Sequence, residues 1–207
     1  MTTVFLHGLG QTPESWDAVL NALGLSDCRC PSLPGLVSGQ KPTYQNLYAA
    51  FSAYCDEIPG KLRLCGLSLG AVLALHYATE HPGKLTSLVL IGAQYKMPKA
   101  LLTLQNLIFR FMPQGSFRDI GFGKQDFITL CGSTKGLDFS KALVTINCPT
   151  LVLCGENDKA NKDAAVEISQ GIPGSRLLLI PQAGHQVNMD QPKALAEAIR
   201  DFWKDAT

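Results

Sequence analysis

Gly66-Leu67-Ser68-Leu69-Gly70 carries the sharpest chemical signal in this chain of 207 residues. A G-x-S-x-G run between an apolar strand-like segment and an apolar helical one puts the serine on a tight strand-to-helix turn, its hydroxyl above the sheet. Such a turn strains the backbone at the serine. Glycines two residues to either side are needed because a Cβ there would strike neighbouring backbone. The helix that starts at the serine also points its first N–H groups at any oxyanion developing on a bound carbonyl. The competing reading is an ordinary glycine-bounded turn with a capping serine.

A serine hydroxyl is a weak nucleophile until a base, itself oriented by an acid, takes its proton. Of the four histidines, His76 and His81 fall within or at the end of the helix after Ser68 and read as structural. His7 ends the first apolar run, where its ring shapes the turn below the site. His185, in Ala183-Gly184-His185-Gln186, follows the last strand-like run and precedes the final helix, so it is the candidate base. The acid belongs on the loop of the preceding strand, where Gly155-Glu156-Asn157-Asp158 offers two carboxylates. Asp158 lies further out on the turn, with room to reach the His185 loop; Glu156 is the fallback, and a solvated turn residue or helix cap is the alternative role for Asp158.

These residues need a scaffold. Val4 to Leu6, Cys28 to Leu33, Leu62 to Cys65, Leu85 to Ile91, Leu151 to Cys154 and Arg176 to Ile180 read as strands. Between them, Pro13 to Leu23 (with Thr12 as N-cap), Thr43 to Ile58, Ser68 to His81 and Pro192 to Trp203 carry apolar residues at helical spacing. Strands alternating with helices imply a doubly wound α/β fold, its parallel sheet covered on both faces and its site at the carboxyl ends of the strands. From Gly92 to Asn147 the alternation stops. That stretch is apolar and helical over Ala100 to Met112 and glycine-rich from Gly115 to Gly136, and it reads as an insertion over the sheet at about 95–143. The whole of 1–207 reads as one domain.

Hydrophobic residues at 46% and charged residues at 17% exclude disorder and a coiled coil. Eighteen basic against 17 acidic side chains give a net charge of +1, which provides no field for gathering nucleic acid or anionic lipid. No apolar run approaches the ~20 residues of a membrane span, and Met1 to Gly8 has neither the basic nor the apolar region of a signal peptide. Seven cysteines without a C-x-x-C read as reduced thiols, hence a cytoplasmic protein.

His7-Gly8, the Ser68 pentapeptide, Gly155 to Asp158 and Gly184-His185, in that order, resemble the α/β-hydrolase superfamily, whose triad runs nucleophile, acid, histidine along the chain. The likeness covers roughly residues 3–92 and 147–204, and Leu143 to Leu151 with Pro149 resembles the family's return from cap to core. It implies an oxyanion hole built from the backbone N–H groups of Leu9 and Leu69. The antiparallel pair that usually opens the family is missing, so a sheet of about six strands is expected. Ala71 stands where a third glycine is common, and the short insertion implies a small helical cap and a fairly open site.

Within the insertion, Leu104, Ile108 and Met112 belong to a helix apolar on nearly every side, and with Leu9 and Leu69 they are the candidate substrate contacts. Plain packing of a small cap is the other role open to that helix. Lys96, Lys99 and Arg110 are too few to hold an anionic headgroup, and Gly132 to Gly136 has the wrong spacing for a phosphate loop. The reading that follows is a serine esterase cleaving a small carboxylic ester through an acyl-enzyme, with Ser68, Asp158 and His185 as triad and no metal or cofactor. The partner is a small-molecule ester or acyl substrate. Two alternatives stand beside it: a carbon–carbon hydrolase, lyase or acyltransferase using the same triad, and a non-catalytic small-ligand receptor.

Overall fold

In the computed structural model, which describes residues 1–25, 27–97 and 121–205, six strands form one parallel sheet. They are β1 (Thr3–Leu6), β2 (Cys28–Arg29), β3 (Leu62–Leu67), β4 (Leu85–Ile91), β5 (Thr150–Gly155) and β6 (Arg176–Ile180), in spatial order β2-β1-β3-β4-β5-β6. This is the expected α/β architecture and strand number. The chain runs outward from β1 to β2, then returns to β3 and proceeds to the far edge. The direction therefore reverses between β1 and β3, and a crevice opens at their carboxyl ends.

Around the sheet lie α1 (Asp17–Leu23), α2 (Leu33–Leu36), α3 (Tyr44–Asp56), α4 (Leu69–Glu80), α5 (Lys124–Ser133), α6 (Lys162–Gly171), α7 (Val187–Asp190) and α8 (Pro192–Asp205). Alternation along the strands assigns each side chain a face. Val4 and Leu6 join Leu64, Leu88, Leu90 and Val152 in the core under α2, α3, α4 and α6. Phe5 joins Cys65, Val89, Ile91 and Leu153 in the core under α1 and α8. Phe5 sits 5.2 Å from the Trp16 ring and 6.4 Å from that of Trp203, and burying a side chain of this size stabilises the fold by roughly 1.5–3 kcal/mol. Both faces are thus closed to water along Val4 to Leu6 and Leu64 to Leu67, which is why those stretches carry no charged or hydroxyl side chain.

Several boundaries differ from the sequence reading, each for a local reason. The Pro13 to Leu23 segment starts as a 3-10 turn, Pro13–Trp16, before α1, and Thr12 makes no side-chain cap bond. The second strand ends at Arg29 rather than Leu33. Pro31 has no N–H to donate to a ladder, and Ser32 caps α2 by accepting from the Gly35 N–H. The described part of the glycine-rich stretch contains α5, because Gly121, Gly123, Gly132 and Gly136 gather at or beyond the helix ends. Between them Phe127, Leu130 and Cys131 form a buried stripe.

The described ends of the segment read as an insertion pair with each other. Met97 N–H donates to the Leu137 carbonyl (3.0 Å) and Phe139 N–H to the Tyr95 carbonyl (2.8 Å), with Lys96 bridged to Asp138. The apolar helix read over Ala100 to Met112, with its candidate contacts Leu104, Ile108 and Met112, lies outside the described residues. All seven cysteines are free, and burial pushes the thiols of Cys30, Cys55 and Cys131 up to about 12, so none of these three is a ready nucleophile at neutral pH. Among the described residues no helix is long and apolar enough to cross a membrane.

Candidate active site

Ser68 occupies the single residue between β3 and α4 with φ 55° and ψ −117°, a conformation that side chains rarely adopt. Two contacts force it there. Its N–H donates to the Ile91 carbonyl at 2.8 Å, and its carbonyl accepts the Val72 N–H at 3.0 Å, which commits the chain to helix immediately. The flanking glycines have the expected cause: a Cβ on Gly66 would collide with the Gly70 carbonyl, and one on Gly70 with the Leu6 carbonyl. Strand, turn and helix are pressed too closely for any side chain.

Gly8 to Gln11 form a turn beside the elbow. Gln11 N–H donates to the Gly8 carbonyl at 3.1 Å, with Gly10 at φ 86° in the left-handed position such a turn requires. A Cβ on Gly8 would lie 3.4 Å from the Ser68 Cβ, so the turn borders the serine directly. His7 Nδ1 donates to the same Gly8 carbonyl at 2.9 Å, while its Nε2 accepts the Leu33 N–H at 3.1 Å. With that carbonyl held twice, the Leu9 N–H on the opposite side of the same peptide plane has one fixed direction. Burial, only partly offset by the Gly8 bond, lowers the His7 pKa, which keeps the ring neutral and both hydrogen bonds intact. The Leu69 N–H belongs to the first turn of α4, whose donors have no partner within the helix.

At the next edge of the sheet the imidazole of His185 meets Asp158: Nδ1 donates to Oδ2 at 2.7 Å. That bond assigns the proton to Nδ1 and leaves Nε2 bare, the tautomer a general base needs. The Asp158 side chain is 4% exposed and that of His185 41%, so the carboxylate is sealed while the imidazole is open to solvent. Glu156 is elsewhere, accepting the Gln182 N–H at 3.1 Å and tying the two loops together. The loops run so close that a Cβ on Gly155 would strike the Gly184 carbonyl. Gly92, at φ 54°, connects the two halves of the site. It follows Ile91, which holds Ser68, and a Cβ on it would lie 3.1 Å from the His185 ring and 3.5 Å from Asp158 Oδ2.

Asn161 was not legible as a site residue. Its Nδ2 donates to both oxygens of Asp158 at 2.9 Å, and its own carbonyl accepts from Gln94 Nε2 at 2.8 Å. At the N-terminal boundary of α6 it looks like a helix cap, yet its side chain makes no cap bond. Burial of Asp158 works against its charge, but the hydrogen bonds from His185 and Asn161 outweigh it and hold the carboxyl below the usual aspartate range. Asn161→Ala is expected to lower kcat about 10-fold, one charge-assisted hydrogen bond's worth. Because the buried Asp158 carboxylate and Gln94 each lose a partner, Tm should also fall, by roughly 2–4 °C per kcal/mol lost. Steady-state kinetics beside calorimetry checks both.

His76 and His81 stand apart from the site, in aromatic stacks with Tyr48 and Tyr77. Leu69 is buried and Leu9 half-buried beside the elbow. Among the described residues no three or more His, Cys, Asp or Glu side chains are grouped to hold a metal ion. Two open clefts, one of about 330 Å³ beside Pro149 and Phe202 and one of about 270 Å³ beside Arg63 and Trp203, lie toward the amino ends of the strands, away from Ser68.

The sequence profile of the alpha/beta hydrolase family matches residues 3–198. Over 97% of its length the chain is 26% identical to the biotin biosynthesis bifunctional protein BioHC of Cellvibrio japonicus, and it spans 47% of that protein, about half. It is 25% identical to the pimeloyl-(acyl-carrier protein) methyl ester esterase of Nitrosomonas europaea, over 92% of this chain and 90% of the other. The solved structure of a thermophilic esterase from Thermogutta terrifontis superimposes with a TM-score of 0.82 at 22% identity, over 100% of this chain and 90% of that one. At that identity the likeness is one of fold.

Proposed function

The chain belongs to the alpha/beta hydrolase family, and from that premise we propose that it is a serine hydrolase cleaving small carboxylic esters through an acyl-enzyme. The observation that carries the reading is the strained Ser68 at φ 55°, bonded to Ile91, whose next residue Gly92 borders an imidazole bonded to a buried carboxylate at 2.7 Å. Strain of roughly 1–3 kcal/mol at one serine persists only where its surroundings over-determine it, and such residues cluster at active sites.

Ser68 Oγ attacks the ester carbonyl carbon and His185 Nε2 takes the hydroxyl proton. The C–O π electrons move to oxygen, and the N–H groups of Leu9 and Leu69 receive that oxyanion. On collapse the carbon–alkoxide bond breaks and His185 returns its proton to the leaving alcohol. Water then attacks the acyl-Ser68 by the same two steps and releases the carboxylic acid. Asp158 holds the imidazole tautomer and stabilises the imidazolium.

The substrate reading is a simple alkyl ester of an acyl group, supported by the likeness to a relative named for a methyl ester. The insertion at about 95–143 acts as the cap, a role supported by the paired neck at Tyr95 to Met97 and Leu137 to Phe139. Leu104, Ile108 and Met112, with Leu9 and Leu69, contact the acyl chain. Free thiols throughout support a reducing, cytoplasmic compartment. A fluorophosphonate probe is expected to modify the protein once, at Ser68, with loss of p-nitrophenyl acetate hydrolysis in step with labelling. Modification at another residue, or hydrolysis that survives complete labelling, overturns the reading.

A further inference from the structure

Two amide side chains, of residue types usually found in water, are buried beneath the site. Gln11 is 6% exposed and Asn188 fully buried, and they meet across 177 residues of chain. Gln11 Nε2 donates to Asn188 Oδ1 at 3.1 Å, and Asn188 Nδ2 donates back to Gln11 Oε1 at 3.3 Å and to the Ser15 carbonyl at 3.1 Å. Gln11 Oε1 also accepts the Gly8 N–H at 3.2 Å. A reciprocal amide pair of this kind is satisfied in one relative orientation only, because both donors and both acceptors must be engaged at once.

The pair joins two loops that act on opposite sides of one carbonyl. Gln11 grips Gly8 from both ends: its side chain takes the Gly8 N–H and its backbone N–H holds the Gly8 carbonyl. The direction of the Leu9 N–H therefore follows the position of Gln11. Asn188 lies in α7, three residues beyond His185, and Gly184 on the other side of the histidine is held to the same helix by the Asp190 carboxylate at 2.8 Å. We propose that Gln11 and Asn188 are positioning residues that lock the oxyanion turn to the loop carrying His185, so that the donor receiving the oxyanion and the base moving the proton keep one fixed separation. The proposal rests on the triad and oxyanion roles given above. Neither residue touches the substrate.

The test is a double-mutant cycle of Gln11→Met, Asn188→Leu and the double variant on p-nitrophenyl acetate, with active sites counted by fluorophosphonate so that unfolded protein does not enter kcat. Loss of one oxyanion donor lowers kcat by about 100-fold or more, and a donor misaimed rather than removed is expected to cost about 30-fold. Each single variant should show that loss in kcat with KM within about threefold. The double variant should be no worse than the singles, because the pair acts as one unit. The inhibition constant of a trifluoromethyl ketone, which forms the tetrahedral oxyanion on Ser68, should weaken by the same factor.

Variants that lose only thermal stability while kcat per labelled site is unchanged overturn the lock and leave the triad standing. A wild-type protein that neither labels at Ser68 nor hydrolyses the ester overturns both. Should Gln11→Met not fold, Gln11→Glu decides. It keeps the shape and the acceptor for Gly8 but loses the donor to Asn188 and sets a carboxylate beside the turn, so kcat is expected to fall at least about 10-fold; an unchanged kcat overturns the proposal.

Discussion

Ser68→Ala is expected to lower kcat for p-nitrophenyl acetate by about a millionfold, leaving only what binding and the oxyanion donors achieve with water. The size of the loss follows from the chemistry: without the oxygen no acyl-enzyme forms, and no neighbouring group replaces it. The three cysteines whose thiols burial raises to about 12 are no substitute. Ser68→Gly separates activity from stability. It abolishes turnover equally, but glycine adopts φ 55° and ψ −117° without the Cβ penalty. Release of about 1 kcal/mol of strain should raise Tm by roughly 2–4 °C for a chain of this length. Rapid-quench kinetics and calorimetry on the two variants read both effects. A Ser68→Gly protein less stable than Ser68→Ala would show that the elbow is not strained by its side chain.

That opposition between stability and reactivity also explains which parts of the molecule can be read from the chain alone. The elbow was legible because its steric demands reach the sequence directly. Gly66 and Gly70 are excluded from carrying a Cβ by the Gly70 and Leu6 carbonyls, so the spacing of the motif is the spacing of the collision. β4 and β6 occur over the segments read as strands, Leu85–Ile91 and Arg176–Ile180, since a short apolar run bounded by turns leaves few other options. The strand expected from Cys28 to Leu33 was cut short because pairing depends on donors that Pro31 lacks and on a competing cap at Ser32.

The supporting amides were not legible, for a different physical reason. Asn161, Gln11 and Asn188 are residue types usually found in water; Gln11 and Asn188 pair across 177 residues, and Asn161 ties nearby Asp158 to Gln94, 67 residues away. Asn161 was further disguised by its position, since an asparagine before a helix ordinarily caps it. Gly92 could be seen only as the end of a strand, because the imidazole that fills its missing side chain comes from residue 185. Chemistry carried by a backbone turn leaves a local pattern; chemistry supported by converging side chains leaves none until the chain is folded.

Asp158→Asn should be nearly as damaging as loss of the nucleophile, with kcat falling on the order of 10⁴-fold. Here the tautomer decides the outcome. Asn161 Nδ2 lies 2.9 Å from both oxygens of the carboxylate, so it opposes the new NH₂ whichever way an asparagine at 158 turns. With that NH₂ at the Oδ2 position it donates to His185 Nδ1, which becomes an acceptor. The ring proton moves to Nε2, and the atom meant to take the Ser68 proton already carries one. The same variant tests the electrostatics. Because the fold holds the Asp158 carboxyl below its ordinary range, its ionised form contributes stability that is complete above about pH 4, the unfolded value, and is lost as pH falls through the depressed folded value. The Tm difference between wild type and Asp158→Asn should therefore be constant near neutrality and shift against the wild type only in acid. Thermal melts from pH 7 down to pH 2 measure it, and a difference that does not change with pH would mean that the carboxylate gains nothing from His185 and Asn161.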